Sequence, residues 1–177
     1  MSGGTSRGAE GARGEEARAR AVAAAVVDPE LPMITLDELG VLREVRVEDG
    51  RVEVSITPTY TGCPALDAMR DDLRARLTGA GFADVRVRTV LDPPWTTDWI
   101  SESGRRSLAE AGVSPPGPAP RRPAGPVPLT LGPVRRIRCP HCGSADTTEL
   151  SRFAATACKS LHRCNGCREP FEHVKEI

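Results

Sequence analysis

The chain has 177 residues, 39% hydrophobic but only 3% aromatic, and its 24 Lys and Arg balance 24 Asp and Glu. That length accommodates one domain of ordinary size and a small satellite, and so few rings leave little stacking surface for single-stranded nucleic acid. No stretch approaches the roughly 18 consecutive apolar residues of a membrane span, and the absence of a basic-then-apolar leader makes a cytoplasmic setting the expectation.

Charge is distributed unevenly. Residues 1–114 carry 14 Arg against 19 acids, whereas residues 135–177 carry eight Lys and Arg against five acids. Four thiolates around a divalent cation would cancel most of that second excess. No basic footprint for nucleic acid then remains.

Residues 1–13 are Gly, Ser, Ala and Arg without periodicity and read as a disordered start. From about Glu15 to Val27, Ala, Arg and Val favour a helix, which Asp28-Pro29 ends because the residue before proline is pushed out of helical geometry. Period-two alternation follows, with Val45 and Val47 before Asp49-Gly50 and Val52, Val54 and Ile56 after it, the pattern of a β-hairpin. Pro64 suits a helix start, Leu66, Met69, Leu73 and Leu77 recur at helical spacing, and Gly79 and Gly81 stop the helix. Val85, Val87 and Thr89-Val90-Leu91 give a third strand, and Ser101 to Ala111 a further helix. The order predicts an α+β fold, a small sandwich over residues 14–114 in which helices cover a three-stranded sheet. Residues 115–134 hold eight of the sixteen prolines and read as a semi-rigid linker to a module over 135–177.

That module carries the strongest chemical signal. Cys139-Pro140-His141-Cys142 and Cys164-Asn165-Gly166-Cys167 form two Cys-x-x-Cys pairs, and two such knuckles complete a tetrahedral thiolate shell. The 21 residues between them slightly exceed the usual spacing of about 15 to 20 for a zinc ribbon, an excess a loop absorbs at small entropic cost. A segment of about 40 residues cannot bury enough apolar surface to fold alone, so metal binding must contribute folding free energy. Disulfides would use the same cysteines, but nothing routes the chain to an oxidising compartment. Iron, alone or as a cluster, would accept the same four sulfurs. His141, His162, His173 or Cys158 could replace one of the four thiolates; Cys158, six residues before Cys164, is the leading substitute, and the simpler reading of each histidine is an exposed polar residue.

Cys63, in Thr61-Gly62-Cys63-Pro64, falls where the second hairpin strand gives way to the predicted helix. A sulfur at a helix N-terminus is stabilised as the thiolate, so the position reads either as a reactive thiol or as a small residue filling a turn. A hydrolase or transferase would also need a nearby base, yet all three histidines lie beyond the linker; metal or cluster handling needs the thiolate alone. Asp28 and Glu30 form an acidic pair best read as a helix end and a solvated turn.

Asp28-Pro29-Glu30, Glu38-Leu39-Gly40, Thr61-Gly62-Cys63-Pro64 and Pro93-Pro94-Trp95 together resemble the MIP18-like family, or domain of unknown function 59, over residues from about 20 to 112. The segment Trp95-Thr96-Thr97-Asp98-Trp99-Ile100-Ser101, the Cys-Pro-His-Cys knuckle, Ser151-Arg152-Phe153, Thr156-Ala157-Cys158-Lys159 and Cys164 through Phe171 are similar to the D-type components of phenylacetyl-CoA epoxidase systems. The resemblance implies a MIP18-like fold joined to a zinc-ribbon-like module, and a setting in aerobic phenylacetate breakdown. A di-iron oxygenase there epoxidises the aromatic ring, and a flavin and iron–sulfur reductase supplies electrons. It implies an accessory that assists maturation of iron–sulfur or di-iron centres, with the oxygenase and reductase subunits and iron–sulfur assembly factors as partners. The family pattern places a cysteine just before the final isoleucine, where this chain has Glu176; on that comparison Cys158 is the leading extra thiol.

The chain has neither paired Glu-x-x-His motifs for two irons nor a glycine-rich dinucleotide fingerprint, so it is expected to be no enzyme by itself. Cys139, Cys142, Cys164 and Cys167 are the expected ligands of a structural zinc, and Cys63 and Cys158 the expected transient thiols for iron or a cluster. Neither nucleic acid nor a membrane is an expected partner, and a homodimer through the sandwich is left open. A structural docking component and a redox iron–sulfur carrier are the competing readings.

Overall fold

The computed structural model describes residues 5–119 and 137–177, which form two compact units, one ending at Trp95 and the other Thr96–Ile177. The first begins with helix α1, Thr5–Ala24. The disordered start expected for residues 1–13 is therefore corrected from Thr5 onward: Ala, Glu and Arg sustain helix through Gly8, Gly11 and Gly14. The helix stops at Ala24, short of Val27, because the following backbone is used in pairing. Leu36 N–H donates to Val26 O at 2.8 Å and Asp28 N–H to Ile34 O at 3.0 Å.

Strands β1 (Leu42–Glu48) and β2 (Arg51–Ile56) pair antiparallel, with Val45 opposite Val54 and Val47 opposite Val52. Asp49 and Gly50, at φ 49° and 77°, make the left-handed two-residue turn the hairpin requires. Helix α2 (Leu66–Gly79) buries Met69, Leu73 and Leu77, then returns the chain to β3 (Asp84–Thr89), parallel to β2. The sheet order is β1-β2-β3. Val52, Val54, Ile56, Leu73 and Leu77 are fully buried, each contributing about 1.5–3 kcal/mol of transfer free energy. Trp95 closes the unit: its ring is buried and its Nε1–H donates to Leu39 O at 3.0 Å.

The second unit contains more than the cysteine module. Helix α3 (Glu102–Glu110) is capped by Ser101, whose Oγ accepts from Gly104 N at 3.0 Å, and leads into β4 (Val113–Ser114). β4 pairs in parallel with β7 (Pro170–Val174), which pairs antiparallel with β6 (Lys159–Cys164), and that with β5 (Thr147–Ser151). The resulting order is β4-β7-β6-β5.

This shifts the expected boundary of 14–114. The last helix belongs with the second unit, because Val113 and Ser114 find their backbone partners in Glu172 and His173, and Ile177 O accepts from Thr97 N at 3.1 Å. The first residues of the expected linker are also tied down: Arg105 Nη1 donates to Pro116 O, and Ala119 N–H to Asp98 Oδ1 at 2.9 Å. Residues 120–134 of that linker lie outside the described residues. No helix among the described residues is long and apolar enough to cross a membrane.

Candidate metal centre

Each knuckle is built by backbone geometry. In the first, Gly143 N–H donates to Cys139 O and Cys139 N–H to Ser144 O, both at 2.9 Å, and Gly143 takes φ 76°, which folds the turn back under the sulfurs. In the second, Cys164 ends β6, its N–H donates to Glu169 O at 3.0 Å, and Arg168 at φ 67° closes the turn. The Asn165 side chain braces the base, donating to Asp146 Oδ1 at 2.7 Å. Cys139 and Cys164 are buried with Phe171, and Ile137 packs against them.

The four sulfurs lie within 4.8 Å of one another. Cys139 and Cys167 Sγ are 3.7 Å apart, Cys142 and Cys164 Sγ 3.5 Å apart. With Zn–S near 2.3 Å, the edge of a tetrahedral ZnS₄ shell is about 3.8 Å, so the donor set fits that ion in size and chemistry. None of the six cysteines is in a disulfide. The long spacing is absorbed where β5 and β6 slip register between Glu149 and Ser151, leaving Leu150 half exposed.

The electrostatics point the same way. Cys164 is lowered to about 6, first by the Cys167 amide, which donates to its sulfur at 3.4 Å. Cys167 is pushed up to about 12: the Glu169 backbone acts to lower it, but burial and the three neighbouring cysteines prevail. Four thiolates cannot share this volume without a cation, and a divalent ion removes the conflict.

Cys158 does not join the cluster. It precedes β6 while Cys164 ends it, and six residues of strand span about 20 Å, so Cys158 cannot replace a ligand of the same ion. It is buried instead, with its Sγ 3.1 Å from Thr156 Oγ1, next to a partly buried ion pair in which Lys159 Nζ donates to Glu172 Oε2 at 2.6 Å.

Cys63 is partly buried, in a turn where its N–H donates to Tyr60 O at 3.2 Å and its O accepts from Leu66 N at 3.3 Å. The helix cap is Ala65, so Cys63 stands two residues before the cap, in the turn that leads into the helix. It lies in the β2–α2 crossover, beyond the carboxyl end of β2, the edge at which parallel strands commonly present ligand sites. Asp28 is buried, not solvated; its Oδ1 accepts from Glu30 N at 2.8 Å and Leu31 N at 2.9 Å.

The histidines divide. His141 is exposed as expected, but His162 and His173 are buried. His162 stacks on Phe171 at 5.6 Å between ring centroids, and His173 meets His162 edge-on at 5.8 Å. Period two carried the signal: His162 lies two residues from Cys164, and His173 two from Phe171, on the faces that hold the core.

Two family models match the chain: a PaaD zinc beta ribbon domain over residues 123–175 and an iron–sulfur cluster assembly protein over residues 16–91. An Escherichia coli protein, provisionally assigned as the D-type component of 1,2-phenylacetyl-CoA epoxidase, is 42% identical over 86% of this chain and 87% of its own length. An Fe-S protein maturation auxiliary factor of Porphyromonas gingivalis is 35% identical over 47% of this chain and 80% of its own. Among solved structures, a Domain of Unknown Function 59 from Bacillus anthracis aligns with a TM-score of 0.53 and 25% identity, covering 56% of this chain and 96% of that one.

Proposed function

Because the chain belongs to the family of D-type components of 1,2-phenylacetyl-CoA epoxidase, we propose that it is a non-catalytic accessory that matures iron–sulfur or di-iron centres of its partners. The observation that carries the reading is the union, in one chain, of an assembly-type domain with a four-thiol cluster. The partners in this reading are the oxygenase and reductase subunits and the iron–sulfur assembly factors. The setting is the cytoplasm.

Cys139, Cys142, Cys164 and Cys167 hold zinc, which supplies folding free energy and no redox chemistry. Cys63 is the transient acceptor, with Cys158 as its helper. Iron or a cluster is cargo: an iron–thiolate bond to Cys63 forms as one to the donor breaks, and the oxidation state is unchanged. Partial exposure of Cys63 in a turn suits such an exchange.

Docking without transfer is the second reading, favoured by Phe153 and Leu150, which stand 65% and 50% exposed on and beside β5. The test is elemental analysis of protein purified without oxygen, native, Cys63→Ser and Cys139→Ser, alongside the metal content of the oxygenase and reductase. We expect one equivalent of zinc, lost only in Cys139→Ser, and metal-depleted partners with Cys63→Ser. Unchanged partner metal content and epoxidase activity in Cys63→Ser would sink the transfer role and leave docking.

A further inference from the structure

The cysteine cluster uses neither of the buried histidines, and one of them has an unmet bond. His173, on β7, has a side chain 4% exposed. Its Nδ1 lies 3.1 Å from Ser114 O, and since a carbonyl only accepts, Nδ1 carries the hydrogen and donates. In the neutral ring the lone pair is then on Nε2. That atom is buried and has no hydrogen-bond partner among the described residues.

What Nε2 faces is Glu176 Oε2, at 3.6 Å. The gap is too long for a hydrogen bond. It has the right width for a metal ion: a cation about 2.1 Å from each atom would see them at about 118°, near the tetrahedral angle. The carboxylate is held in place, since its Oε1 accepts from Gly117 N at 3.1 Å. The Ser114 carbonyl likewise fixes the ring, as outer partners of metal-binding histidines commonly do. A cleft of about 530 Å³ runs alongside, lined by Pro116, Arg138, Cys139, His173 and Glu176 among others.

We propose that His173 Nε2 and Glu176 Oε2 are the protein half of a second, open site for a divalent transition metal, separate from the four sulfurs. The mixed imidazole and carboxylate donors suit ferrous iron and its neighbours. The four-cysteine group is the one cluster of three or more such side chains among the described residues, so the remaining positions belong to water or to a donor entering by the cleft. Two protein ligands hold a metal weakly and release it readily. Burial lowers the His173 pKa, against the opposing pull of Glu176 and the Ser114 carbonyl.

The test titrates cobalt(II) into the zinc-loaded full chain without oxygen, and into His173→Gln and Glu176→Gln. One equivalent is expected to bind with weak nitrogen- and oxygen-type visible bands while zinc is retained, and each substitution should weaken it at least tenfold. Zinc content of one equivalent in each variant checks its fold, and Glu176→Gln keeps an oxygen for Gly117 should His173→Gln fold poorly. No cobalt beyond the zinc, thiolate bands from displaced zinc, or wild-type binding by Glu176→Gln would each overturn the site. So would nuclear magnetic resonance showing His173 Nε2 protonated at neutral pH. None of these readouts depends on the maturation role, so either idea can fail alone.

Discussion

Cys164 and Cys167 stand three residues apart on one knuckle and are driven in opposite directions, to about 6 and about 12. A thiol near 12 is protonated at neutral pH and must give its proton up when it ligates, while one near 6 is already mostly ionised. The sign follows: protons compete with metal, so affinity rises as pH rises through the neutral range. Calorimetric zinc titration at pH 7.5, in buffers of different ionisation enthalpy, should show net proton release that includes the Cys167 proton. Absence of any net proton release would mean that the thiols do not bind the ion as thiolates.

At the scale of elements, the Asp49-Gly50 hairpin tests how far local rules govern the first unit. Gly50 sits at φ 77° with open space around its Cα, so a side chain there meets backbone strain and not a clash. Gly50→Val should cost about 1–2 kcal/mol, since a β-branched residue resists left-handed geometry. A lowered denaturation midpoint with unchanged zinc content would show it. This turn, the Met69, Leu73, Leu77 stripe and the paired knuckles were legible because each is a short-range pattern with a single physical cause. β4 was not: two residues carry no periodicity, and only the distant Glu172 and His173 reveal them as a strand. The extension of α1 escaped for the opposite reason, since its three glycines outweighed, on reading, a majority of good helix formers.

At the scale of the whole molecule, the second unit couples metal to elements that hold no ligand. Thr96 and Thr97 bond Ile177 O through their hydroxyls at 3.0 and 3.4 Å, and β4 leans on β7. Removing zinc with a chelator should therefore raise amide hydrogen exchange not only across β5, β6 and β7 but also in α3 and β4. The sandwich of α1, α2 and β1–β3 should keep its protection. Exchange confined to the knuckles would show that the sheet stands without its ion.

The short β4 strand also governs growth. A sheet with two bare edges can template an endless ribbon of copies, but here one edge is only Val113 and Ser114, followed at once by Pro115 and Pro116, which offer no amide to a newcomer. Among the described residues, β5 is left as the long ladder of this sheet at which another strand could join. Association through backbone pairing is therefore favoured at the β5 end of this sheet over the β4 end.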